Sequence, residues 1–185
     1  NLNIQLEAID VYMSENINAI VDAHYLPYAN ETFDIVIIQA VLEHVVEPHK
    51  VVKEILRVLK NNGIVYAETP FMQQVHEGAY DFTRYTVLGH RYLFKKFELI
   101  DLGGNKGAEI ALAWAIRYFF WALTRNRNFG RFVGVLCEFV MKPFGKILSS
   151  KALYDSSSGV YFLGRKLANY KLTHKELVSL YKGQF

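Results

Sequence analysis

The chain has 185 residues, 51% of them apolar, and a formal net charge of +3. This length and apolar content fit one domain, or one domain with an appendage. A single cysteine, Cys137, excludes an internal disulfide and fits a reducing, cytoplasmic setting.

In chain order, Leu6 to Asp10 reads as a short strand ending in an acid, and Asn18 to Val21 as a second, closed by Asp22-Ala23-His24. The connection between them is too short for a helical crossover. The loop that follows, with Pro27 and Asn30, has turn chemistry. Phe33 to Gln39 is an unbroken apolar run rich in β-branched residues, which suits a strand of a parallel sheet buried on both faces. Pro48 stands at a favourable first helical position, and Val51, Val52, Ile55, Leu56 and Leu59 recur at helical spacing opposite Lys50, Lys53, Glu54, Arg57 and Lys60. Asn61-Asn62-Gly63 is expected to stop this helix, and Ile64 to Glu68 to form the next strand. Such a strand–helix–strand unit is a right-handed crossover, and its ligands sit beyond the carboxyl ends of the strands, at Gln39 to His44 and Thr69 to His76.

Thr86 is a candidate cap for a helix through Phe94, followed by a strand at Phe97 to Leu102 that Gly103 and Gly104 end. Ala108 to Leu123 is apolar around its circumference apart from Glu109 and Arg117. It falls short of the roughly 20 residues of a membrane span and carries Arg117 mid-length, so a buried or interfacial helix is expected. Phe129 to Met141 is amphipathic, with Phe132, Leu136, Phe139 and Val140 on one face, and Pro143 ends or kinks it. Ser156 to Gly159 reads as a turn, Val160 to Leu163 as a strand, and Thr173 with Glu176 as a capping box for a last helix.

Charge is unevenly spread. Residues 1–100 carry 8 Lys/Arg against 13 Asp/Glu, and residues 101–185 carry 13 against 5. The basic, aromatic-rich second half suggests an anionic partner, either a membrane surface or a charged substrate; an ordinary solvated face is the alternative.

The string from Asp22 to Phe71, DAHYLPYANETFDIVIIQAVLEHVVEPHKVVKEILRVLKNNGIVYAETPF, resembles the class I S-adenosylmethionine-dependent methyltransferases, the type 11 group in particular. The resemblance rests on an acid and a small residue, Leu-Pro, Phe-Asp before an apolar strand, Leu-Glu-His, and a helix ending Arg-x-Leu-Lys before a glycine. It covers roughly residues 6–104 and 160–166. It implies an α/β, Rossmann-like sheet in the order 3-2-1-4-5-7-6, mostly parallel with an antiparallel last strand. In this chain strand two would end at Asp10 and three at Val21, with four at 33–39, five at 64–68, six at 97–102 and seven at 160–163. Strand one and its glycine-rich turn have no counterpart, because no Gly-x-Gly lies upstream of Asp10. The chain, which begins at Asn rather than Met, is therefore expected to be a truncated form. The expected organisation is a methyltransferase-like domain at 1–107 and 156–170, a helical insertion at 108–148 and a tail at 171–185.

The resemblance implies S-adenosyl-L-methionine as cofactor. Asp10 would accept from the ribose hydroxyls, Asp22 and Ala23 would meet adenine with His24 flanking the ring, and Gln39 and His44 would shape the methionine end. A turn-capping role is the alternative for both aspartates. On the acceptor side, His76 is a candidate base oriented by Asp81, Arg84 a candidate anion holder, and Tyr85 a further candidate; the alternative is a hydrogen-bonded loop packed on the sheet. No ligand pair has metal-site spacing, so no metal is expected. Nucleic acid is not expected, because the basic residues of 117–131 lie in strongly apolar helices. The reading is a methyltransferase acting on a small-molecule or lipid-like acceptor, with peripheral membrane or protein contact through 108–148 and homo-oligomerisation allowed. The alternative is a non-catalytic methyltransferase-like module that binds a partner or membrane through the same helices.

Overall fold

Two short parallel strands open the fold, β1 (Ile9–Asp10) and β2 (Ala19–Ile20), in the register Ile9↔Ala19. The computed structural model describes residues 4–148 and 150–183. The connection between β1 and β2 contains no helix, as its length requires. Backbone bonds from Asn18 N–H to Ala8 O (2.7 Å) and from Val21 N–H to Asp10 O (2.9 Å) extend the ladder at both ends.

The apolar run forms β3 (Phe33–Gln39), and α1 (Pro48–Val58) begins with its proline in the first turn. Val51, Val52, Ile55 and Val58 are buried on one face of α1, as the spacing predicts. The helix ends earlier than expected. Leu59 is already extended and fully buried, and it pairs with Phe33 as the first residue of β4 (Leu59–Pro70). The register then jumps to Ile35↔Ile64, so Lys60 to Gly63 bulge out, with Asn62 at φ 64°. A Cβ at Gly63 would fall 2.8 Å from Lys60 O, so this glycine serves close approach rather than a left-handed turn.

Thr86 caps α2 (Val87–Leu93), its side chain accepting from the Gly89 N–H. The next strand, β5 (Phe97–Asn105), does not stop at Gly103 and Gly104 but runs through both. They pair with Tyr161 and Val160, and a Cβ at Gly104 would lie 2.6 Å from Leu153 O and 2.7 Å from Ser157 Oγ. Here glycine admits neighbours rather than breaking the strand. Two long helices follow, α3 (Ala108–Thr124) and α4 (Arg127–Met141), then a 3-10 turn at Lys142–Lys146 that contains Pro143. The short helix α5 (Ser150–Ser156) was not apparent in the sequence. It leads into β6 (Gly159–Lys166), twice the length read from the apolar run alone. Helix α6 (His174–Ser179) carries the expected Thr173/Glu176 capping box.

Among the described residues β3, β4, β6 and β5 form one sheet in that order, separate from the β1–β2 pair. β3 and β4 are parallel, and β6 runs antiparallel between β4 and β5. This is the order expected for strands four, five, seven and six. The core packs α1 and α2 on this sheet through Leu42, Val51, Ile55, Leu59, Phe94 and Phe162, with the Phe94 and Phe162 rings stacked at 4.8 Å. The other face of β3 is open, with Ile35 and Ile37 more than half exposed.

In the α3–α4 hairpin the apolar face of α4 is not the one that packs on α3. Its buried seam is Gly130 and Gly134, whose hypothetical Cβ atoms would meet Arg117 O at 2.6 Å and Arg117 Cβ at 2.6 Å. The large apolar face of Phe132, Leu136, Phe139 and Val140 points away from α3 and is exposed. Of the buried or interfacial helix expected at α3, burial does not hold: Leu112, Phe119 and Leu123 are exposed, and of its residues only Glu109 and Ala113 are buried. Small residues bring the backbones together, and the bulky ones are excluded from the seam by size.

Two predictions follow from this packing. On an exposed helix Gly→Ala stabilises by up to about 1 kcal/mol. Gly130→Ala is expected to lower the urea midpoint instead, because its Cβ would meet the backbone of Arg117 and Trp121, and overpacking costs about 1–3 kcal/mol. The second concerns His90, which is fully buried against Phe94 and Tyr85 with neither ring nitrogen hydrogen-bonded. Burial lowers its pKa from the usual 6.5 to about 3. The unfolded chain therefore takes up a proton below pH 6.5 that the folded chain refuses. Stability is fully present above that pH and falls, by up to about 1.4 kcal/mol per pH unit, as pH drops toward 3. Equilibrium unfolding across this range should show a slope that His90→Leu flattens.

Candidate active site

The carboxyl ends of β3 and β4 open onto a cavity of about 150 Å³ lined by Gln39, Glu43, Glu68, Gln73, His76 and Lys106, among others. At its mouth Ala40 adopts φ 53°, a left-handed conformation unusual for a residue with a Cβ. The chain then turns inward, and Leu42 and Glu43 are buried. Gln39 Nε2 donates to Glu68 Oε2 at 2.6 Å, and Tyr66 OH donates to Glu68 Oε1. Burial, then Glu68, push the Tyr66 hydroxyl up to about 12.

The loop after β4 forms the opposite wall, and Arg84 organises it. Nε donates to Gln73 O, Nη1 to Asp81 Oδ1 and Thr83 O, and Nη2 to Gln74 O and Asp81 Oδ2. All five N–H donors of the guanidinium are engaged. Arg84 is therefore a brace, with no donor left for an anionic acceptor, which corrects the role expected for it. The Asp81 carboxylate is almost completely buried and also accepts the His76 backbone N–H at 3.0 Å. The Arg84 hydrogen bonds hold its pKa down to about 2. His76 Nδ1 lies 3.5 Å from Asp81 Oδ2 and 3.3 Å from Gln74 O, so the expected Asp81–His76 pairing is present. Tyr85 is turned elsewhere: it packs on Val87, Tyr154 and Val160 in a second core cluster, and it does not line the cavity.

His44 and Glu43 face His76 across the cleft. His44 Nδ1 donates to Tyr80 O at 2.7 Å, and the His44 and His76 rings meet edge to face at 5.0 Å. Burial pushes the Glu43 carboxyl up, against the pull of its own backbone N–H, His44, His76 and Arg84. The sequence grouped none of these for metal binding. The fold nevertheless places ligand atoms of Glu43, His44 and His76 within 4.8 Å of one another. Helix α3 closes the far side: Trp114 lies 6.2 Å from the His76 ring, and Tyr118 OH donates to Val75 O at 2.5 Å. Beyond it an apolar groove of about 400 Å³ runs between the loop and α3, lined by Met72, Gln74, Ala111, Leu112 and Ala115 among others.

The remaining candidates stand at the ends of β1 and β2. The exposed Asp10 accepts from Tyr12 N–H at 3.2 Å. Asp22 Oδ1 accepts from His24 N–H at 2.9 Å and pairs with His24 Nδ1 at 2.6 Å, which lowers its pKa. Ala23 packs against the main core.

Residues 6–67 match the family model described as "Methyltransferase domain". Among solved structures, the complex of the Haloferax volcanii Trm112 methyltransferase activator with a putative methyltransferase is 17% identical, with a TM-score of 0.50, over 82% of this chain and 61% of that one. Residues 6–67 are thus similar to a methyltransferase domain, and the likeness to that solved structure shows a shared α/β, Rossmann-like fold. A putative methyltransferase from Bacillus halodurans C-125 is 15% identical with a TM-score of 0.49, over 87% of this chain and 81% of that one. A putative sarcosine dimethylglycine methyltransferase from Galdieria sulphuraria is 14% identical with a TM-score of 0.48, over 80% and 58%. No curated protein sequence matches the chain. The chain spans about three fifths of the length of the solved structures it first matches.

Proposed function

We propose that this protein takes part in S-adenosylmethionine-dependent methyl transfer to a small-molecule or lipid-like acceptor. The observation that carries the reading is the family match over 6–67, which spans Asp10, Asp22 and Gln39 at the carboxyl ends of β1, β2 and β3. That is where a doubly wound sheet takes its ligand. The exposed Asp10 carboxylate fits a ribose diol, and Asp22 with Ala23 fits the adenine edge. The cofactor would supply an electrophilic methyl group. For this chain's own residues, His76 takes the acceptor's proton, Asp81 orients His76, and the apolar groove beside α3 seats the acceptor's body.

Calorimetric titration of this chain with S-adenosylmethionine should show binding, and Asp10→Ala should weaken it at least about tenfold, since hydrogen bonds to a charged group contribute about 1.5–3 kcal/mol each. No binding at millimolar ligand, or an unchanged constant in the variant, would overturn the cofactor reading.

The exposed faces of α3 and α4 favour a second element. Phe132 and Phe139 are 65% and 78% exposed, Ile147 is 77% exposed, and Arg125, Arg127, Arg131, Lys142 and Lys146, near them in sequence, are exposed too. Among the described residues no helix is long and apolar enough to cross a membrane. We propose that this cation-rimmed apolar face docks on an anionic lipid surface. Wild-type protein should co-sediment with phosphatidylserine-containing liposomes and an Arg125/Arg127/Arg131 triple-alanine variant should not. Self-association of the wild type without liposome binding would assign the face to a protein partner instead.

A further inference from the structure

We propose that Glu43, His44 and His76 form a binding site for one divalent transition-metal ion in the wall of the cavity beyond β3 and β4. Three features support it. The first is convergence: one ligand atom from each residue lies within 4.8 Å of the other two, and Glu43 and His76 both line the cavity. The second is an unpartnered acid. The Glu43 side chain is 1% exposed, and its Oε2 has no hydrogen-bond partner. Polar groups this deeply buried are nearly always satisfied.

The third is the setting of the two imidazoles. His44 Nδ1 lies 2.7 Å from the Tyr80 carbonyl oxygen, and His44 Nε2 lies 3.6 Å from Glu43 Oε1. His76 Nδ1 has the Gln74 carbonyl at 3.3 Å and the Asp81 carboxylate at 3.5 Å. A carbonyl behind one imidazole and a carboxylate behind the other are the outer partners that orient metal-bound histidines. The five-donor Arg84 brace fixes that carboxylate in turn.

Two imidazoles and one carboxylate select zinc, manganese, iron(II) or cobalt(II) over magnesium and calcium, which prefer all-oxygen sets. Three protein ligands leave at least one coordination position for water or an oxygen-bearing ligand from the cavity.

The test is titration of chelator-stripped protein with cobalt(II) chloride, read by visible d–d absorption and competed with zinc chloride. The wild type should bind one equivalent, and zinc should displace it. Glu43→Gln and His76→Ala should each weaken binding by more than about tenfold, at least the loss that follows removal of an outer partner. The exposed His49→Ala should bind as the wild type does, and circular dichroism checks that each variant is folded. If the buried Glu43→Gln does not fold, the partly exposed His76→Ala decides. Absence of cobalt binding by folded wild type, or binding that either folded site variant leaves unchanged, overturns the proposal. Because the readout contains no S-adenosylmethionine, failure here leaves the methyl-transfer reading intact; a bound metal takes a His76 lone pair, so the base role proposed for His76 belongs to the metal-free site.

Discussion

Arg84 holds the cleft together. Its guanidinium fastens three carbonyls of the loop after β4 to the Asp81 carboxylate, and Asp81 fastens the His76 backbone. The Phe82 N–H then reaches Glu43 O at 2.8 Å and ties the loop to the segment after β3. A polar, glycine-interrupted stretch thus becomes a rigid wall whose regular structure is one 3-10 turn at Gly78–Tyr80. A buried carboxylate is tolerable only when paired and fully hydrogen-bonded, so the loop has one arrangement that satisfies Asp81. The geometry of the cleft follows from that arrangement.

Much of the sheet was legible in the sequence because its signals are local. The β-branched run of β3, the proline opening α1, the Thr86 cap of α2 and the Thr173/Glu176 box each act within a few residues. What the sequence hid depends on partners far along the chain. Gly103 and Gly104 look like a strand terminus until β6 and Ser157 are seen to need the space. Leu59 looks like the last turn of a helix until Phe33 claims it as a strand partner. The apolar face of α4 is legible from its spacing, but spacing does not say which face meets α3. Closeness of backbone approach at Gly130 and Gly134 decided the packing.

The cleft was legible in part. His76 and Asp81 lie near each other in sequence, and their pairing was readable. Arg84 also lies nearby, but its composition suggests a free cation, and only the geometry shows that every donor is engaged. His44 and His76 belong to segments separated by α1 and β4, so no spacing rule links them. The clue that existed was Glu43, an acid set between apolar residues where the chain enters the core.

The position of β6 also fixes the order in which the molecule assembles. β4 ends at Pro70, and its antiparallel neighbour begins only at Gly159. During synthesis β3, α1 and β4 are complete long before the strand that covers the far edge of β4 exists. In the interval the α3–α4 hairpin, whose contacts are local, closes first, and the sheet closes last by a long-range pairing of the kind that makes folding slow. Until then the growing chain carries an open strand edge together with a fully formed apolar hairpin, the pair of features that most invites association with other chains.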